Sequence, residues 1–488
     1  MYKNILITIS EDNFEYDVQS LVKAFFQKSE VVLWRNKSED VIYDLSVNLN
    51  IEADKITFSV YSEDVNDGEV ISIDYDNRKE TKNRLKRAMY NVLSRISGKE
   101  LPWGTLTGIR PTKIPMELVE NGESDEEIYR YMKDTYLVSD EKIALAKDIA
   151  RYEYDILKDI RYTDGYSLYI GIPFCPTTCL YCSFTSYPIS TYRKKADAYV
   201  EALCKEIDYM ADRFRGQILN TVYIGGGTPT TLEPEQLDKL LGKVREKYDF
   251  SSVKEFTVEA GRPDSITEDK LKVLMKYGVT RISINPQTMK QETLDIIGRR
   301  HTVEQVKDAF KLARELGFDN INMDFIVGLP DETIEDVRNT MEEVLKLNPD
   351  SITVHSLAIK RAARLNIFKD KYAEMTMENN AEIMNLTAEY ATKMNMAPYY
   401  LYRQKNMAGN MENVGYARKN KEGIYNILIM EDKQTIVALG AGASTKYVYP
   451  TGGRVERQVN VKDVDLYIDK IDETIEKKES FFNEHHKQ

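Results

Sequence analysis

From residue 167 onward the chain alternates short apolar runs with longer charged, amphipathic stretches. The runs 167–172, 221–224, 255–259, 281–285, 321–327 and 351–355 are rich in Ile, Val, Phe and Thr and read as strands. Between them, 233–247, 268–277, 303–316 and 334–347 carry apolar residues at helical spacing. Strand–helix alternation with apolar strands argues for a parallel sheet covered on both faces.

Before that point the texture differs. Strands are predicted at 4–9, 31–34, 56–60 and 70–75, with helices near 18–26 and 80–96. Together they suggest a small α+β domain over 1–100. The segment 101–113 is rich in turn formers and reads as a linker or docking loop. Helices follow, one opened by Ser124-Asp-Glu-Glu in a capping-box pattern and another by Ser139-Asp-Glu-Lys. After residue 376 come a long helix and an irregular region with strands near 424–430 and 435–438. The resulting division is 1–100, 101–165, 166–375 and 376–488.

Composition narrows the class. At 488 residues the chain can bury several cores, and no apolar run reaches the roughly 18–20 residues that span a bilayer. Its first residues are too quickly acidic for a secretory signal. The formal net charge of −12 argues against nucleic acid as a partner. The basic stretch 78–99 places its apolar residues at helical spacing and reads as a solvated helix face. There are four cysteines, three of them in one short motif, so a disulfide framework is not expected and a reducing cytoplasm is.

That motif is Cys175-Pro-Thr-Thr-Cys179-Leu-Tyr-Cys182, directly after the first strand of the alternating region. Four-iron clusters are normally held by four cysteines. Three thiolates leave one iron open to a small molecule, as an open position does in catalytic zinc sites. A structural zinc loop would need a fourth ligand, and no Cys or His lies close by in sequence. Cys204, on an amphipathic helix, reads as an inert buried thiol.

Further polar groups fall at successive strand ends. The second strand runs into Gly225-Gly226-Gly227-Thr228-Pro-Thr, where glycines allow a ligand close to the backbone. No Gly-Lys-Ser/Thr follows, so this is not a phosphate loop. Glu259 ends the third strand, Gln287 follows the fourth, Arg299 lies in Gly-Arg-Arg-His-Thr, and Asp324 lies in Asp-Phe-Ile-Val-Gly-Leu-Pro. In α/β barrels, catalytic groups gather at the carboxyl ends of strands. His355 closes the sixth strand, facing where a substrate would sit; it reads as a satisfied core histidine, with a haem ligand or proton donor as the alternative. Trp103, Arg110 and Lys113 in the linker are candidate contacts for anionic substrate groups.

The cysteine spacing is the signature of the radical S-adenosylmethionine (SAM) superfamily, which the chain resembles. The order Tyr-x-x-Ile-Pro-Phe-Cys, Gly-Gly-Gly-Thr-Pro-Thr, Glu-x-x-Arg-Pro, Gln, Gly-Arg-x-His-Thr, Asp-x-Ile-x-Gly-Leu-Pro is similar to the oxygen-independent coproporphyrinogen III oxidase (dehydrogenase) family. The long N-terminal extension and the wording of the cysteine loop point to its HemZ-type branch. The resemblance implies a partial (β/α)6 radical SAM barrel with an N-terminal α+β domain and a C-terminal α+β extension. It implies a 4Fe-4S cluster on Cys175, Cys179 and Cys182. It also implies SAM contacts from Tyr169, Tyr181, Gly226, Gly227, Thr228, Glu259, Gln287, Arg299, Asp324 and Ala358. Two positions depart from the characterised oxidases: Gly171 stands where they have histidine, and Phe184 where they have a fourth cysteine. Related haem chaperones of the family also lack that cysteine.

The implied activity is radical decarboxylation of coproporphyrinogen III to protoporphyrinogen IX. Its partners would be the porphyrinogen and a reductant protein or small-molecule electron donor, with no nucleic acid and no membrane. The alternatives are a haem-binding chaperone and another radical SAM reaction on a tetrapyrrole, such as methyl transfer with ring opening.

Overall fold

The computed structural model describes residues 2–38, 40–360, 363–368, 372, 374–404, 407–449 and 454–485. They fall into two compact units, one built on residues up to Arg151 and joined by Arg403, the other from Tyr152 to Tyr402 and from Met407 onward.

The first unit orders β1 (Asn4–Ile9), α1 (Glu15–Phe25), β2 (Glu30–Leu33), β3 (Leu45–Ile51), β4 (Lys55–Tyr61), β5 (Asn66–Ser72) and α2 (Arg78–Ser97). Its sheet has the order β2-β1-β3-β4-β5, with β1 parallel to both neighbours and β3-β4-β5 antiparallel. Alternate residues of β3 and β4 (Leu45, Val47, Leu49; Ile56, Phe58, Val60) are buried with Val18, Leu21 and Phe25 of α1 and Leu85, Met89 and Val92 of α2. β3 was not among the expected strands, although Leu-x-Val-x-Leu-x-Ile alternates with the strand period. The last expected strand lies earlier than 70–75, because Asn66–Tyr61 pairing sets the hairpin. α3 (Lys113–Glu120), α4 (Asp125–Tyr136) and α5 (Asp140–Leu157) follow, and Ser124 caps α4 in a reciprocal box with Glu127. Most of the basic stretch on α2 is neutralised locally: Arg84 and Arg87 meet Glu80, and Arg95 meets Asp67 and Glu69. Trp103 is fully buried, so it cannot meet a ligand as it stands.

The second unit begins with β6 (Gly165–Ile172), the short β7 (Phe174–Cys175) and β8 (Tyr187–Pro188), the turn α6 (Ile189–Tyr192) and α7 (Ala196–Arg213). Strands and helices then alternate through β9 (Ile218–Gly226), α8 (Pro234–Lys247), β10 (Glu255–Gly261), α9 (Glu268–Lys276), β11 (Arg281–Ile284), α10 (Gln291–Ile296), α11 (Val303–Glu315), β12 (Ile321–Val327), α12 (Ile334–Leu347) and β13 (Ser351–Ser356). The chain ends with α13 (Arg364–Ile367), α14 (Ala381–Lys393), β14 (Ala397–Tyr402), β15 (Asn413–Ala417), α15 (Ile424–Met430), β16 (Thr435–Leu439), β17 (Ser444–Val448), β18 (Val455–Val459), α16 (Val464–Asp469) and α17 (Ile471–His485).

The six strands expected from the alternation are present and pair in sequence order, all parallel, as β6-β9-β10-β11-β12-β13. They form the centre of one sheet of eleven strands, β14-β15-β13-β12-β11-β10-β9-β6-β16-β17-β18, open at both ends. β16 adds a seventh parallel strand beside β6, from Thr435 opposite Tyr166 to Leu439 opposite Ile170. Residues 424–430 are helical rather than a strand: Tyr425, Ile427 and Leu428 are buried at helical spacing, and a short apolar run does not by itself distinguish the two states.

The C-terminal helices are fastened by a buried ion pair. Glu206 on α7 and Lys478 on α17 are both fully buried and 2.7 Å apart. Glu206 also accepts from Gly440 N–H (2.8 Å), Asn460 Nδ2 (2.8 Å) and the Tyr467 hydroxyl (2.6 Å), while Lys478 donates to Ala438 O. Every lone pair of the carboxylate is thus engaged, which is what makes a charge tolerable in a core. Lys478→Met should destabilise the second unit by about 3–5 kcal/mol, because a buried carboxylate loses its cation. Urea unfolding of this variant at the wild-type midpoint would contradict that role.

Candidate active site

One face of the parallel strands is apolar (Leu168, Ile170, Val222, Ile224, Val258, Ile282, Met323, Val354), as packing against crossover helices requires. The other face is polar. Pairing puts Tyr169 opposite Tyr223, Tyr223 opposite Thr257, Glu259 opposite Ser283, Ser283 opposite Asn322, and Asp324 opposite Thr353. Since side chains alternate, Tyr169, Tyr223, Glu259, Asn285, Asp324 and His355 all lie on this inner face. Five of these, Tyr169, Tyr223, Glu259, Asp324 and His355, keep some accessible surface within strands that are otherwise buried around them. They open one side of the sheet towards the carboxyl ends of the strands.

Deeper in, many of the polar groups bond one another, though Arg281 Nε and Ser283 Oγ have no partner among the described residues. Ser167 and Thr221 share a hydrogen bond, Thr257 donates to Glu255, Arg281 to Ser351, Ser351 to Asn322, and Asn322 to Asp324. α15 enters from this side: Tyr425 N–H donates to Glu255, and its ring stacks on Tyr223 (centroids 4.5 Å apart). Tyr169 lies alongside both rings. Tyr223 was legible as the β9 counterpart of Tyr169, whereas nothing near Tyr425 in sequence marks it.

Glu259 is the key titratable group. Burial pushes its carboxyl up to about 7, the charge of Asp324 adds to the rise, and the Tyr223 hydroxyl 2.5 Å from Oε1 opposes it. Gln287 sits on the adjoining turn with φ of 72°, a conformation that a non-glycine residue holds only under constraint. Its N–H donates to Asp324 O and its carbonyl accepts from Ile326 N–H. Asn285 joins the next group: its side-chain oxygen accepts from Asp324 N–H and its backbone oxygen accepts from Arg299 Nη1.

The cysteine loop is held from several directions. Gly227 N–H donates to Ile172 O and Thr228 N–H to Phe174 O, both at 2.7 Å, so the β6–β9 ladder continues past the strands. A Cβ on Gly227 would lie 2.5 Å from Phe174 O, and Gly226 has φ of 106°. Thr228 Oγ1 approaches Cys175 Sγ at 3.6 Å. Arg262, buried and paired with Asp264, donates to Thr177, and Thr177 donates to Gly298 O. Leu180 N–H donates to Ile297 O, and Leu180 O accepts from Leu365 N–H. Tyr181 receives a hydrogen bond from Arg299 Nε (3.2 Å). Ala358 lies just past β13 and bridges to Met407. His301 is buried and makes no hydrogen bond to Arg299.

The radical SAM superfamily model matches residues 169–344. The chain is 37% identical over 98% of its length to the oxygen-independent coproporphyrinogen-III oxidase-like protein HemZ of Bacillus subtilis (strain 168), and covers 98% of that protein. The chain belongs to this family of radical SAM proteins. Heme chaperone HemW of the same organism is 34% identical over 63% of this chain and 76% of its own length. Among solved structures, coproporphyrinogen III oxidase (HemN) from Escherichia coli, a radical SAM enzyme, aligns with a TM-score of 0.52 and 26% identity over 64% of this chain and 71% of that one. Among the described residues, no helix is long and apolar enough to cross a membrane.

Membership of this radical SAM family implies a 4Fe-4S cluster and SAM, and the residues present fit both. Cys175, Cys179 and Cys182 are free thiols close enough to influence one another electrostatically. Among the described residues no three Cys, His, Asp or Glu groups converge on a single-ion site, whereas a cubane takes one thiolate per iron. Burial pushes Cys175 up to about 11 and raises Cys182; Arg262 opposes this at Cys175, and Arg299 and Lys360 oppose it at Cys182. Those cations suit an anionic cluster. Two carboxylates on the inner face suit the cationic end of SAM.

Because Glu259 holds its proton more tightly in the folded chain than unfolded, its contribution is lost as pH rises from about 4.5 to about 7. Glu259→Gln should therefore gain stability relative to wild type at pH 8 compared with pH 5, by about 3 kcal/mol at most. Urea midpoints at the two pH values measure it, and a pH-independent difference would refute the shift.

Proposed function

We propose that the protein is a radical SAM oxidoreductase of haem biosynthesis that decarboxylates propionates of coproporphyrinogen III, giving protoporphyrinogen IX. The observation that carries this reading is the ring of inner-face polar groups at the strand ends next to three free thiols, in a chain alignable with HemZ almost end to end.

Cys175, Cys179 and Cys182 would hold the cluster. When bound, the cluster and SAM supply one-electron cleavage of the sulfonium and, through it, removal of a hydrogen atom from the substrate. The chain's own residues bind, orient and enclose. Glu259, its Oε1 held by the Tyr223 hydroxyl, would accept the ammonium of SAM. The backbone of Gly226, Gly227 and Thr228 lines the same end, with Tyr169 alongside: its hydroxyl lies 3.1 Å from where a Cβ on Gly226 would stand. Gln287 and Asp324 take the ribose side, Arg299 orients Tyr181 toward the adenine, and Ala358 offers backbone. The Tyr169–Tyr223–Tyr425 stack closes the floor against water.

In the substrate, a propionate loses a hydrogen atom from its β-carbon, then carbon dioxide and one electron to an external acceptor, leaving a vinyl group. Two propionates react. Electrons enter from a reductant protein or small-molecule donor.

A haem-chaperone reading draws support from Gly171, which stands where the oxidases have histidine and whose carbonyl accepts from Tyr199. It also draws support from Phe184, which is 69% exposed where those enzymes have cysteine. Anaerobic incubation of reconstituted, reduced protein with SAM and coproporphyrinogen III decides between the two. We expect 5′-deoxyadenosine and vinyl products, both abolished by serine at Cys175, Cys179 or Cys182. Haem binding without deoxyadenosine would move the assignment to the chaperone.

A further inference from the structure

Towards the strand ends the inner face carries two partly accessible carboxylates, Glu259 on β10 and Asp324 on β12, and these disfavour an anion. At the β13 end the chemistry changes. His355 is the one partly accessible residue of that strand. Its Nδ1 lies 3.3 Å from the Tyr402 hydroxyl on β14, with the rings edge-on at 68°. The two strands are separated by β15, so the pair is set by the sheet rather than by local sequence. Four residues past β13, the half-buried Lys360 makes no ion pair among the described residues, and its ammonium lies 5.3 Å from the Phe184 ring centroid. Lys360 and His355 are near enough to influence each other electrostatically, as are Lys360 and Cys182.

We propose that His355, positioned by Tyr402 and within electrostatic range of Lys360, is the carboxylate-binding pole of the inner face and receives a propionate of the tetrapyrrole. The assignment rests on the function proposed above. A phenol keeps its proton at neutral pH and can donate it to Nδ1, which places the imidazole proton on Nε2 as a donor. Burial keeps the ring neutral, with Lys360 adding to that effect and Asp324 opposing it. Nε2 has no protein partner among the described residues. An N–H donor with an ammonium within electrostatic range suits a carboxylate, and the ammonium disfavours a metal cation at the imidazole. Arg299 is committed elsewhere, its Nε donating to Tyr181 and its Nη1 to Asn285 O. Held from this pole, a propionate lies across the inner face from Glu259, the arrangement that a hydrogen-atom transfer between the two ligands requires.

The test is titration of full-length wild type, His355→Phe, His355→Gln and Lys360→Ala with coproporphyrin III, the air-stable tetracarboxylate, followed by porphyrin fluorescence. Circular dichroism confirms folding, and the product assay above is run alongside. Loss of one charge-assisted hydrogen bond should weaken binding roughly tenfold or more in His355→Phe and Lys360→Ala. His355→Gln retains an N–H donor and should stay within about threefold of wild type. Unchanged affinity in both His355→Phe and Lys360→Ala overturns the carboxylate pole, and vinyl formation by wild type would then leave the proposed function standing. Weakened binding without vinyl products or deoxyadenosine in wild type keeps the pole and removes the proposed function. Failure of wild type to bind coproporphyrin removes both. A low-spin haem spectrum lost only in His355→Phe, with coproporphyrin affinity unaltered, makes the histidine an iron ligand and overturns the inference.

Discussion

The backbone ladder between β6 and β9 does not stop where the strands stop. It runs on through Gly227 to Ile172 and Thr228 to Phe174, and these two hydrogen bonds fix where the cysteine loop leaves the sheet. No side chain fits at Gly227, where a Cβ would press on Phe174 O. The glycine run is therefore a structural requirement before it is a ligand site. It lets two chain segments meet at backbone distance, and whatever the loop binds inherits that position. Arg262, Thr177 and Leu180 then tie the rest of the loop to the neighbouring strand ends.

Charge is sorted around this anchor. Arg262, Arg299 and Lys360 approach the thiols, while Glu259 and Asp324 lie on the inner face. Burial, helped by the charge of Asp324, raises the proton affinity of Glu259, and a cationic ligand relieves that cost. The same sorting puts a neutral imidazole, His355, at the β13 end.

The outer strands and C-terminal helices hold this arrangement rather than supply its chemistry. β16 lies parallel to β6, and Glu206 reaches from α7 to Gly440 N–H at the end of that strand. Tyr199 donates to Gly171 O and accepts from Ala441 N–H. The Gly171 carbonyl is thus part of a tight backbone junction, in which a Cβ on Gly440 would lie 2.4 Å from it.

The amino-acid order alone determined the six central strands, because each is an apolar run bounded by charged helices, and the cysteine spacing with its run of strand-end polar residues. Those signals are local: a period, a spacing, a turn. Tertiary structure alone decided that 424–430 is helical and sends Tyr425 beneath Tyr223, that β16 extends the sheet beside β6, and that Glu206 finds Lys478. It also decided that His355 meets Tyr402 across an intervening strand. In each of these the partners are far apart along the chain, and burial of one against the other sets the outcome. A short apolar run or a lone charged residue carries no record of its partner until the sheet brings them together.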